Sequence, residues 1–166
     1  MIAILFLLQL WAPGTQLPVF GDFSTKEVFR GKPARVDLRS HPYAPRFRTR
    51  LTEGGAKGPN FAGHFTVVMW HCGTSCQTLA LVDAKTGRVQ FPFSFAVEEG
   101  ACFRATSNLI IIDPIDPDLV KRYDGVSFPE WLTTRFFTWD GIKMTQIAST
   151  KLLMDQSCGR VDDTSN

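Results

Sequence analysis

Short apolar runs separated by turn residues constrain the fold of this chain more than any other feature of its sequence. In most runs the apolar residues either alternate with polar ones or are continuous, which is typical of β-strands. The runs cover 35–38, 65–70, 77–83, 89–95, 101–105, 109–112, 134–139 and 142–147. Ser107-Asn108 and Asp140-Gly141 favour tight hairpins between neighbouring runs. We therefore expect seven or eight strands that pair antiparallel.

One segment has helical periodicity. Tyr43, Phe47 and Leu51 recur at every fourth position, which places them on one face of a helix. We expect this helix over residues 43–53, ending at Gly54-Gly55. The predicted fold is mainly β (α+β): an antiparallel meander of about seven strands, forming a curled sheet or partial barrel, with one helix near the N-terminus.

The run at 89–95 differs from the other predicted strands. Alternation places its Val and three Phe residues on one face of a strand. Pro92 interrupts the hydrogen bonding of that strand, so we expect it at a sheet edge or at a bulge.

The first residues predict export. Ile2–Trp11 is apolar apart from one Gln, and it is too short to cross a bilayer, which needs about 20 residues. It fits the apolar core of a signal peptide, with small residues before a cut after Gly14. Because no Lys or Arg precedes the run, a core strand or helix is the alternative. We expect a signal peptide over 1–14, a loosely ordered segment over 15–33 and a single β-rich domain over 34–166. The mature chain would be periplasmic or secreted, with no membrane span.

The chain has four cysteines, an even number that predicts disulfides in an oxidising compartment. Cys72 and Cys76 could close a three-residue hairpin loop, which leaves Cys102 and Cys158 as a second pair. The alternative is that one or two of these residues are small buried apolar side chains.

The densest cluster of reactive residues spans Asn60–Phe65 and Trp70–Cys76. A Cys72 or Cys76 nucleophile with His64 as its base is one interpretation. Eight residues of strand would separate His64 from Cys72 by about 26 Å, however. The two histidines and two cysteines of the cluster lack the spacing of a zinc ribbon or finger. A structural role, with glycines in turns and a stapled hairpin, is the third interpretation. We expect no metal and no cofactor.

Charge is distributed unevenly along the chain. Residues 22–58 hold nine Lys or Arg against four Asp or Glu, a net charge of +5, whereas the rest of the chain carries −3. Arg46 and Arg50 share one helix face, with Arg48 on another. Such a face can meet an acidic protein or an anionic envelope polymer. No nucleic-acid motif accompanies it. The alternative is a solvated face with ion pairs to the acidic half. The predicted binding residues are Arg46, Arg50, Asn60, His64 and His71.

Three acidic residues, Asp113, Asp116 and Asp118, lie in a Pro-rich segment. Carboxylates at this spacing can bind Ca²⁺, but the glycine and distal glutamate of an EF-hand are missing. We expect a solvated loop instead.

The runs Gly58–Val68 and Cys72–Cys76 resemble a group of small exported bacterial proteins of unknown function. That group carries G-P-N-F-A-G-H-[YF] and then W-x-C-G-[ST]-x-C, usually with Gly after the Trp, where this chain has His71. The resemblance covers roughly the first half of the mature chain. It implies a bacterial exported protein and brings no activity with it.

No complete catalytic constellation appears in the sequence. We therefore expect a small exported binding module that is not a catalyst and that recognises a protein or an anionic polymer. The alternative is a thiol-dependent hydrolase or transferase that uses Cys72 or Cys76 with His64.

Overall fold

The computed structural model describes residues 16–123 and 129–154, which form two antiparallel sheets and a few short helices. The predicted signal peptide over 1–14 lies outside these residues. The helices are α1 (Arg48–Gly55), which continues a 3₁₀ turn at Ala44–Phe47, and α2 (Pro117–Tyr123); a second 3₁₀ turn spans Phe20–Phe23. The strands are β1 (Phe65–Gly73), β2 (Cys76–Asp83), β3 (Val89–Gln90), β4 (Ala101–Phe103), β5 (Leu109–Ile112), β6 (Thr134–Trp139) and β7 (Met144–Thr150).

The sheets have the orders β1-β2-β3 and β4-β5-β6-β7, and every neighbouring pair is antiparallel. Neither sheet closes into a barrel. The prediction of a mainly β fold with seven antiparallel strands and a helix near the N-terminus is confirmed. Each sheet is a simple meander, because each strand pairs with its neighbour in sequence.

The β1–β2 hairpin is buried on both faces. One face, with Val67 opposite Leu81, packs against the second sheet through Ile110, Ile112 and Phe137. The other face packs under α1. Its members are Val68, Trp70, Ala80 and Val82. Because side chains alternate along a strand, an apolar run without interruption is what a doubly buried strand requires.

Helix α1 approaches the hairpin through glycines. A Cβ atom on Gly54 would lie 2.6 Å from Val68 Cγ1, and one on Gly55 would lie 2.9 Å from Val36 Cγ2. The sequence predicted this pair as the end of the helix. It forms the last two residues of α1, where the missing side chains allow close packing on β1.

The second sheet is also covered on both faces. Its inner face joins the core shared with β1 and β2, whereas Leu109, Ile111 and Phe136 face the other way. Phe20 and Phe23 of the N-terminal segment pack on that outer face. Residues 16–33 have little regular structure. Backbone hydrogen bonds nevertheless attach them to the rest of the chain, such as the one from the Thr25 N–H to the Thr106 carbonyl (2.8 Å).

Three local predictions were wrong. The strand expected over 35–38 is reduced to one parallel bridge between Asp37 and Arg88. The Ser107-Asn108 turn is longer than a tight hairpin, since pairing resumes only at Phe103 opposite Ile110. The last hairpin has a four-residue loop over 140–143, because Trp139 pairs with Met144. There Asp140 Oδ1 accepts hydrogen bonds from two loop amides, which favours the longer turn.

The strand predicted over 89–95 ends at Gln90. Phe91 then packs in the cluster under α1, whereas Phe93 packs against the core between the sheets. The expectation that these aromatic residues share one face was therefore wrong. The physical reason is Pro92, which cannot donate a ladder hydrogen bond.

Gly54→Ala tests the close approach of α1 to β1. The added methyl group meets the Val68 side chain, and overpacking of this kind costs about 1–3 kcal/mol. This outweighs the gain of about 1 kcal/mol in helix propensity, so we expect a lower free energy of unfolding. Urea denaturation measures it. The control is Thr52→Ala on the exposed side of α1, which should be neutral or slightly stabilising; equal behaviour of both variants would contradict the packing.

Candidate functional site

A basic cleft lies between α1 and the tip of the β1–β2 hairpin. It encloses about 540 Å³. We call it the basic cleft and define it by its lining: Pro45, Arg46, Phe47, Arg48, Thr49, Arg50, Trp70, His71, Cys72 and Thr78. The 3₁₀ turn and α1 supply one wall, and the hairpin supplies the other.

Three arginines dominate the electrostatics of the basic cleft. Arg46, Arg48 and Arg50 are all exposed, and no carboxylate is among the lining residues in the part of the chain that the structure describes. Within the described residues none of the three forms an ion pair with an acid. The Arg46 guanidinium lies 5.8 Å from the centre of the Tyr43 ring, a cation–π contact that leaves its hydrogen-bond donors available. Of the alternative prediction, the solvated face agrees with this exposure, whereas the ion pairs are not seen for these three side chains within the described residues.

Aromatic side chains pack the wall formed by the hairpin against the 3₁₀ turn. Trp70 is buried, and its ring lies 4.7 Å from that of Phe47 and 6.3 Å from that of Phe91, measured between centroids. His71 is exposed at the rim. Aromatic packing thus fixes the 3₁₀ turn to β1 and positions Arg46 over the cleft.

A disulfide between Cys72 and Cys76 closes the hairpin tip, as the sequence predicted, with the two Cα atoms 5.1 Å apart. Gly73 pairs with Cys76, so a two-residue turn replaces the expected three-residue loop. Ser75 in that turn has φ 49°. The disulfide therefore holds one side of the cleft in a fixed shape.

The structure describes one cysteine of the second predicted disulfide. Cys102 is fully buried in β4 and is disulfide-bonded. Its predicted partner, Cys158, lies outside the described residues.

Asn60 and His64, the two remaining predicted binding residues, lie at the opposite end of β1 from the basic cleft. The Asn60 side chain accepts a hydrogen bond from the Val67 N–H (2.7 Å) and donates one to the Val67 carbonyl (3.2 Å). Gly63 has φ 80°, and a Cβ there would lie 2.6 Å from the Glu27 carbonyl oxygen. These residues of the motif thus join the N-terminal segment to β1.

His64 also lies at this far end. Its Nε2 is 3.9 Å from an Asp83 carboxylate oxygen, and about a third of its side chain is exposed. Burial lowers the pKa of His64 below 6.5; Asp83 opposes this shift and Lys85 adds to it. The structure does not bring His64 to Cys72 or Cys76, since β1 runs between them and both sulfur atoms form one disulfide.

The acidic segment is not a solvated loop. Asp113 and Asp116 are buried. Asp113 forms an ion pair with Arg135 and accepts hydrogen bonds from the Glu98 and Glu99 amides, at 2.7 and 2.8 Å. Asp116 accepts a hydrogen bond from the Leu119 N–H and so caps α2. In the described parts of the chain no group of three or more His, Cys, Asp or Glu residues could hold a metal ion.

Comparison with known proteins finds no matching family model, no similar curated protein and no similar solved structure. Within residues 16–123 and 129–154, no helix has the length and hydropathy needed to cross a membrane.

Among the predicted binding residues, Arg46, Arg50 and His71 come together in the basic cleft, whereas Asn60 and His64 do not. Sequence reasoning did not include Arg48 among the binding residues, because a regular helix places it on a different face from Arg50. The lining of the basic cleft includes it.

Removing the disulfide with Cys72→Ser and Cys76→Ser should lower the free energy of unfolding by about 2 kcal/mol, because the loop it closes is short. Urea denaturation of the wild type and the double variant without reductant measures the loss, because reductant would also break the disulfide of Cys102. Thr74→Ala keeps the disulfide and serves as control. A double variant with wild-type stability would contradict a stabilising role for this bridge.

Replacing His64 should change the dependence of stability on pH. Because its folded pKa is lowered, the folded state binds a proton less readily than the unfolded state. The contribution of His64 to the free energy of unfolding is therefore fully present above pH 6.5. It is lost as the pH falls through the folded pKa. His64→Gln removes this contribution, so its unfolding free energy should decrease less on acidification than that of the wild type.

Denaturation series at several pH values test this. The control is His71→Gln, which removes an exposed imidazole from the opposite end of β1. Parallel profiles for the wild type and His64→Gln would contradict the predicted effect.

Proposed function

We propose that this protein is an exported bacterial binding module that is not a catalyst and that recognises anionic groups on a protein or an envelope polymer through the basic cleft. The observation that carries the proposal is the set of three exposed arginines on one concave surface, with no carboxylate among the described residues that line it. An anionic ligand reduces the repulsion between positive charges that lie close together. Arginine binds carboxylates and phosphates in a bidentate manner.

The packing and the disulfide around the cleft support the same proposal. Trp70 and Phe47 pack together on one side, and the Cys72–Cys76 disulfide fixes the other. A preorganised site loses little conformational entropy when a ligand binds. The His71 side chain at the rim adds a further hydrogen-bonding group.

Export is part of the proposal and rests on two observations. The apolar run at Ile2–Trp11 has the length of a signal-peptide core, and the disulfide of the hairpin tip is typical of an oxidising compartment. The resemblance to small exported bacterial proteins agrees with this. The thiol-dependent enzyme is not proposed, because both of its candidate nucleophiles form one disulfide and His64 lies at the other end of β1.

Charge reversal at Arg46 and Arg50 tests the proposal. Polygalacturonate and poly-L-glutamate serve as probes, with binding followed by calorimetry in roughly 10 mM salt, where the screening length is about 30 Å. We expect Arg46→Glu/Arg50→Glu to weaken binding of at least one probe by about tenfold or more, because the ligand then meets repulsion in the cleft. Wild-type protein that binds neither probe would overturn the proposal.

The matched control is Arg30→Glu/Lys85→Glu, which changes the net charge equally. Both residues are exposed and lie near the far end of the hairpin, where the Phe29 amide bonds to Gly63 and Lys85 follows β2. This variant should bind much as the wild type does. An equal loss in both variants would show that net charge, not the cleft, governs binding.

A further inference from the structure

A second concave surface continues the basic cleft. It encloses about 800 Å³ and shares Arg46, Phe47, Cys72 and Thr78 with the basic cleft. We call it the aromatic groove. One side carries His41 and Tyr43, and the other is the segment Phe91–Ala96, all six residues of which line the groove.

The aromatic groove is a gap in the first sheet. Gln90 pairs with Leu81, and Val97 rejoins β2 through two hydrogen bonds with Gln77, at 2.7 and 3.0 Å. Between these points the segment Phe91–Ala96 leaves β2, because Pro92 lacks an N–H. Its six residues make no backbone hydrogen bond within the described part of the chain.

Leu79 borders the same gap from the side of β2. Gln77 and Asp83 direct their backbone groups away from β1, towards Val97 and Arg88. Since these directions alternate along an antiparallel strand, Leu79 directs its N–H and C=O to the same side. No residue of the described chain forms a hydrogen bond with them there. Backbone groups at such a gap need a partner, either water or a ligand.

Apolar surface lies beside these backbone groups. Tyr43 is 55% exposed and Phe95 is 37% exposed. Phe93 lies between the groove and the core, with its ring centroid 5.0 Å from that of Phe95 and 4.9 Å from that of Phe137. The aromatic groove therefore offers partly exposed rings, one of which, Tyr43, lies next to Arg46 of the basic cleft.

We propose that the aromatic groove binds an extended acidic peptide segment of a partner protein, whose main chain pairs with the gap between Leu79 and Phe91–Ala96. Alternate apolar side chains of the peptide contact Tyr43 and Phe95, and its acidic residues contact Arg46 and its neighbours in the basic cleft. This inference rests on the proposed function and names the ligand class. The Leu79 N–H and C=O, which have no partner in the described chain on this side, favour a peptide over a polysaccharide, because a peptide presents complementary amide groups.

The first experiment uses two probes on the whole protein. One is a fluorescein-labelled peptide library of the form Glu-Asp-Xaa-Val-Xaa-Val-Xaa, in which Xaa excludes Pro and Cys; the other is a galacturonate oligomer of similar charge. We expect the peptides to bind and their N-methylated forms, in which both Val amides are blocked, to bind at least about tenfold more weakly. Amide exchange of the protein, followed by NMR, should show protection at Leu79 and over 93–96 when the peptide is bound, but not when the galacturonate oligomer is added.

A variant and its control test the contribution of the exposed ring of Tyr43 in the aromatic groove. Tyr43→Ala should weaken peptide binding by about fivefold or more, through loss of a buried aromatic contact. Trp131→Ala is the control, since Trp131 is 57% exposed and lies outside both concave surfaces. Both variants remove an exposed ring, so neither should prevent folding.

The outcomes separate the two proposals. Binding of the galacturonate oligomer without binding of the peptides overturns the peptide inference and leaves the proposed function standing. Equal binding of methylated and unmethylated peptides, or no amide protection at Leu79, overturns main-chain pairing. If neither probe binds at low salt, the proposed function fails together with the inference.

Discussion

Burial of the β1–β2 hairpin on both faces is the constraint on which the rest of the structure depends. Val67 and Leu81 hold the second sheet on one side, and Val68 and Val82 hold α1 on the other. A shift of one residue in the register would exchange these two sets of side chains. The hairpin therefore fixes the relative position of the second sheet, the helix and the arginines that the helix carries.

The two ends of the β1–β2 hairpin make different contacts. At one end the motif around Asn60 and Gly63 ties the N-terminal segment and the turn before β5 to β1, with the Gly63 N–H bonded to the Ala105 carbonyl at 2.7 Å. At the other end the disulfide tip meets the 3₁₀ turn and forms the basic cleft. Residues that look like one reactive cluster in the sequence thus separate into a structural connector and a candidate binding surface.

Much of the strand pattern could be predicted, because local alternation and turn residues specify it. The bounds of β5 and β6 agree with the apolar runs at 109–112 and 134–139. The four-residue turn at 140–143 was not predicted, since side-chain hydrogen bonds of Asp140 decided it. Pro92 predicted an interruption of the run at 89–95, but not that the strand would end at Gln90. Burial of Asp113 was missed for a similar reason: its ion-pair partner, Arg135, is distant in sequence.

The sequence by itself determined the fold class, the presence of a helix near the N-terminus and the Cys72–Cys76 pairing, because each depends on periodicity or on short chain separation. The helix expected over 43–53 is a 3₁₀ turn at Ala44–Phe47 followed by α1 at Arg48–Gly55. Only the tertiary structure decided which candidate residues meet. It brought Arg46 and Arg48 to the tip of the hairpin and left His64 at the far end. The physical reason is that packing on both faces of β1 sets the position of α1, and such contacts between distant residues leave no periodic signal along the chain.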